Sequence, residues 1–196
     1  MRRLSAAAGI LGPLLFGIVV VALSIAKYEF MRSIGWDPVL RPTFDWPSGL
    51  SLGRLGWLMT ATFIVSGVLM SVFALGLRKE LKTRSGQIGS GLLAAAGVAL
   101  TGLAFTTDPT IRTTAATWHG TMHDLSFVLL GLTLISALIA LGFALKQQRR
   151  WRTFSVHTWV TAALAVPTFA FKGIVFYAVL LAILLWSEAM AVRLWQ

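Results

Sequence analysis

Long apolar runs alternate with short polar clusters along the whole chain. A helix that crosses a bilayer needs roughly 20 mainly apolar residues at about 1.5 Å rise each. The pattern predicts six such helices, at about 5–27, 55–77, 88–107, 118–145, 155–171 and 174–194. The fifth is short, contains Pro167 and turns into the sixth through Lys172 and Gly173, which predicts a tight hairpin. The first run follows Arg2 and Arg3 and ends near Ser24 and Ala26, a pattern shared with signal peptides. Its apolar length exceeds that of a signal peptide, so it is read as a retained helix. Residues 28–54 form a long outer loop rich in proline and tryptophan. That length suits a lid, a partner surface or a partly ordered re-entry segment. The expected fold is all-α: a polytopic six-transmembrane-helix bundle forming a single integral membrane domain over residues 1–196.

Composition agrees, since 57% of residues are hydrophobic and 12% charged, where a soluble domain carries about 25% charged residues. With no cysteine, disulfides, thiolate ligands and iron–sulfur clusters are excluded. The net charge of +10 gains meaning from its placement. Arg2, Arg3, Arg78, Lys79, Lys82, Arg84, Lys146, Arg149, Arg150, Arg152 and Arg193 fall on one side of the predicted bundle. Lys27, Arg32, Arg41, Arg54, Arg112 and Lys172 fall on the other. The positive-inside bias places the N-terminus and C-terminus in the cytoplasm and the chain in the plasma or inner membrane. Trp57 and Trp118 then mark the outer interface, and Trp151 and Trp195 the inner one. Basic charge used for orientation, with no recognition module, argues against nucleic acid as a partner.

The stretch TTDPTIRTTAATWHGTMHDLSF, residues 106–127, concentrates the candidate chemistry. His119 and His123 stand four apart on the predicted fourth helix, hence on one face, a spacing that suits two imidazoles on one metal. The same line continues through Ser126, Leu130, Thr133, Ala137, Ala140 and Ala144, mostly small residues that let membrane helices approach. Asp108 and Asp124 lie at the same membrane depth and complete a candidate metal or proton site, with a divalent metal as the candidate cofactor. The competing reading is structural: Asp108-Pro109 is a turn signal, Thr117 can cap the helix, and Asp124 suits its positive end. His157 falls on the opposite side of the bundle from the pair. The three histidines do not offer a bis-histidine site at one depth, and haem is disfavoured.

Glu188 is a possible intramembrane charge near the inner end of the last helix, within reach of Arg193 or the Arg149–Arg152 loop for neutralisation. Lys172 is an outer-mouth charge placed to pair with Asp108 or Asp124. GWLMTATFIVSG from Gly56 and GTMHDLSFVLLG from Gly120 share Gly, Phe and Gly at equal spacing, a faint internal echo of two outward-to-inward helices.

The ordered segments WDPVLRP, SLGRLGWLMTATFIVSGVLMSVFALGLRK, GLAFTTDP and HGTMHDLSF carry a resemblance over nearly the whole chain. Together they resemble the bacterial and archaeal integral-membrane family called domain of unknown function 998. The resemblance implies six membrane helices with polar positions at Asp108, His119, His123 and Asp124, and implies no reaction. A looser similarity in chemistry, to the seven-helix zinc hydrolases of the alkaline ceramidase and adiponectin-receptor type, departs in helix number and in having one histidine pair.

Three functions follow as expectations. The first is a non-enzymatic bundle that binds membrane lipids or other membrane protein subunits, as an accessory subunit of a larger complex. The alternative is a metal-dependent hydrolase of a lipid or amide, with His119 and His123 as ligands, one of Asp108 and Asp124 as third ligand and the other as base. Proton-coupled transport through the collar and Glu188 ranks last, because the span centres offer only serine and threonine.

Overall fold

Apolar runs of this length close into helices because a backbone away from water must satisfy its own N–H and C=O groups. The computed structural model describes residues 2–36, 47–109, 115–169 and 173–196, and the segment DPVLRP and Lys172 lie outside these. Seven α-helices form among the described residues: α1 Arg2–Ala26, α2 Tyr28–Ser33, α3 Gly56–Glu80, α4 Arg84–Gly102, α5 Trp118–Lys146, α6 Thr153–Ala165 and α7 Gly173–Trp195. Short 3-10 turns add Pro47–Ser51 before α3 and Val166–Phe169 after α6. No strand occurs among the described residues.

Local chemistry sets the boundaries. Thr83 and Thr117 cap α4 and α5, each accepting a hydrogen bond at 3.1 Å from the backbone N–H three residues on. The fifth run was expected to continue to 171, but α6 stops at Ala165. Pro167 has no N–H to donate, so the α-helical ladder is broken there and the chain continues as a 3-10 turn, with Val166 still in the helical region. The expected outer loop also gains structure, with α2 at its start and a 3-10 turn near its end. Pro13 interrupts α1 without ending it: the Gly9 carbonyl loses its helical donor, and Ser187 Oγ of α7 donates to it at 3.4 Å.

Neighbouring helices close into a ring, with α1 against α3, α3 against α4, α4 against α5, α5 against α6, α6 against α7, and α7 back on α1. The seam between α6 and α7 is the thinnest. Four helices, α1, α3, α5 and Ile174–Trp195 of α7, are long and apolar enough to cross a membrane. α4 opens on Arg84, Ser85 and Gln87, and α6 has only 13 residues.

Small residues fix the closest contacts. A Cβ on Gly67 of α3 would stand 2.5 Å from the Gly97 carbonyl of α4, and one on Gly97 2.6 Å from that of Gly67. Inside a membrane, where lipid is as apolar as leucine, such close approach supplies the helix–helix attraction.

One end of the ring is basic. Arg150 pairs with Glu80 at 2.7 Å, and Arg150 and Arg193 each donate to the other's carbonyl at 2.9 Å. Arg2 donates to Leu194 O at 2.7 Å, which brings the two ends of the chain together. Trp151, at this basic end, is fully buried in the cluster with Phe73, Leu141 and Met190, whereas Trp57, Trp118 and Trp195 are exposed. The opposite end, called the collar end below, packs Met31, Trp36, Leu50, Met59 and Phe63 around the close of α1 and the start of α3.

Candidate functional site

The collar forms where α4 ends and α5 begins. The last carbonyls of α4 accept from the N–H groups of Leu103, Ala104 and Phe105, and the histidines serve the carbonyls of the turn that follows. His123 Nδ1 lies 3.0 Å from Leu103 O and 2.8 Å from Phe105 O. His119 Nδ1 lies 2.8 Å from Thr106 O and 2.9 Å from Thr117 Oγ1. Carbonyl oxygens only accept, so in both rings Nδ1 carries the proton.

Asp108 closes the other side of the loop. Its carboxylate accepts from Thr117 N at 3.0 Å and from Thr117 Oγ1 at 2.7 Å, beside the positive end of α5. Gly120 makes this possible, because a Cβ there would collide with that carboxylate. Asp108 and His119 therefore share Thr117. His123 sits one turn deeper and is 3% exposed, with the Phe63 ring edge-on at 6.1 Å. Asp124 is exposed on another face of α5. Among the described residues no three His, Asp or Glu side chains are grouped to hold a metal ion. The collar's hydrogen bonds join the turn after α4 to the start of α5.

The other predicted positions separate from the collar. Lys172 lies outside the described residues. Glu188 lies near the basic end of α7, and its Oε1 is buried without a hydrogen-bond partner among the described residues. Two of the arginines expected to neutralise it are engaged elsewhere: Arg150 takes Glu80, and Arg193 takes Gln196 and the Arg150 carbonyl. His157 is exposed on α6.

Two features had not been anticipated. Lys27, 5% exposed, donates from Nζ to Leu50 O at 2.7 Å and to Leu52 O, with the Phe30 ring 4.9 Å away. Burial pulls its pKa below the ordinary lysine value. The second is a partly open cavity of about 140 Å³ between the helices of the ring, to which every helix of the ring contributes: Phe16 from α1, Phe63 from α3, Leu100 from α4, His123 from α5, Ala165 from α6 and Leu180 from α7. Among the described residues the walls are almost wholly apolar, and the polar exceptions, His123, Ser48 and Thr168, all lie toward the collar end.

The profile of the family described as Protein of unknown function (DUF998) matches residues 10–193. The chain belongs to this family. Neither a curated protein nor a solved structure matches it. The DUF998 match takes in the collar, the cavity and most of the basic end. Both echo phenylalanines, Phe63 and Phe127, line the cavity of this DUF998 chain.

Proposed function

We propose that this chain is a six-crossing protein of the cell membrane that holds the apolar part of a lipid inside its helix ring, alone or as an accessory subunit of a larger complex. The cavity carries this reading: it is apolar, partly open and built by all six helices of the ring. Concave, mainly apolar pockets with a few convergent polar groups are the usual form of a ligand site. Native mass spectrometry of the purified protein is expected to show retained lipid. Leu130→Trp, which pushes an indole into the cavity, is expected to remove most of it while the helical circular dichroism stays unchanged. Equal lipid retention in both proteins would defeat the reading.

α4 and α6 complete the six crossings because they are full members of the ring, and the shared position of Arg2 and Leu194 suits an even number of crossings. The basic end faces the cytoplasm under this proposal. The chain has no cysteine, so single introduced thiols report cleanly. Ala116→Cys is expected to react with an impermeant maleimide on intact cells, and Gln147→Cys only after permeabilisation. The reverse pattern would invert the orientation, and a matching pattern at both sites would break the six-crossing count.

A further inference from the structure

The polar atoms in the cavity narrow what it can hold. His123 Nδ1 is committed to the carbonyls of Leu103 and Phe105. With the proton there, Nε2 of the neutral ring is an acceptor. That nitrogen has no hydrogen-bond partner among the described residues, on a side chain 3% exposed whose ring lines the cavity. Thr168 adds a second acceptor, because its hydroxyl proton already goes to Ala165 O at 2.6 Å. Ser48 contributes a further hydroxyl. An accessible acceptor in an apolar cavity is best met by a ligand that brings a donor. Acceptor-only groups such as ethers and esters can take the Ser48 hydroxyl proton but leave His123 Nε2 without a donor. An ionic headgroup would bear the cost of burial in an apolar cavity with no counter-charge among the described lining residues.

From this we infer that the cavity takes a long-chain or isoprenoid alcohol, with its single hydroxyl donating to His123 Nε2. The inference rests on the lipid-binding proposal and names the ligand class for the same site. The volume of about 140 Å³ is close to that of engineered apolar cavities of about 150 Å³ that admit benzene. It therefore houses the hydroxyl end and the first few carbons. The rest of the chain leaves the ring toward lipid, and the α6–α7 seam offers the least packing to part.

The test uses the full chain in phosphatidylcholine nanodiscs with a radiolabelled dodecan-1-ol carrying a diazirine in its tail. Crosslinks are expected on cavity-lining peptides of α5 and α7. Unlabelled dodecan-1-ol is expected to compete about tenfold better than 1-methoxydodecane or dodecane, the scale of one hydrogen bond. In His123→Phe that preference is expected to fall to near one. The ligand series on the unaltered chain decides the matter even if the variant fails to fold. Equal competition by all three ligands would overturn the alcohol assignment and leave the apolar-chain reading standing. Crosslinks outside the cavity, unaffected by Leu130→Trp, would overturn both.

Discussion

His123→Ala is expected to lower the midpoint of thermal unfolding in detergent by roughly 6–12 °C, whereas His119→Ala lowers it by no more than about 3 °C. The two histidines use the same atom for the same task but in different surroundings. His123 is buried and serves two carbonyls at the close of α4, Leu103 and Phe105. Removing it leaves them without a donor, at about 1–3 kcal/mol for a buried unsatisfied group, and enlarges the existing cavity. A loss near 3 kcal/mol corresponds to a shift of this size at roughly 2–4 °C per kcal/mol for chains of about 200 residues. His119 is half-exposed, and water replaces its bond to Thr106 O. Tryptophan fluorescence melts of the two variants check the ordering. Equal small shifts would show that the His123 bonds do not hold the α4–α5 junction together.

The contrast between the histidines shows where sequence reasoning stops. Their four-residue spacing placed them on one face of α5, and Thr117 was legible as its cap. What separates them is the position of the α4 terminus, a property of another helix and of the loop between. The same limit applies to Glu80 and Arg150, which are 70 residues apart and meet only because α3 and the α5–α6 turn end at one level. Counting charges near Glu188 singled out Arg150 without showing that Glu80 would meet it. Helix positions were far more legible than side-chain partners, since a run of 20 apolar residues has few alternatives in lipid. The end of α6 was drawn too long because its apolar character continues past Pro167 although its hydrogen-bonding does not. The cavity had no sequence signature, because it is unfilled volume among six helices rather than a residue pattern.

Lys27→Met is expected to open the collar end and weaken lipid retention together, although Lys27 does not line the cavity. A lysine 5% exposed normally needs an acid; here the described partners are the Leu50 and Leu52 carbonyls and the Phe30 ring. Its ammonium staples the 3-10 turn Pro47–Ser51 to the end of α1, and that turn carries Ser48 at the cavity. Methionine preserves the length and most of the volume but leaves two carbonyls without a donor, at roughly 2–4 kcal/mol for the pair. The expected result is faster tryptic cleavage at Arg54 and loss of most of the lipid seen by native mass spectrometry, with helical content nearly unchanged. Lys27→Arg is expected to recover much of both, since a guanidinium has donors enough for two carbonyls. If Lys27→Met kept its lipid while cleavage at Arg54 accelerated, the turn would be shown to cover the collar end without shaping the cavity. Joint loss, with joint recovery in Lys27→Arg, would tie the mouth of the cavity to a lysine whose partners lie 23 and 25 residues further along the chain.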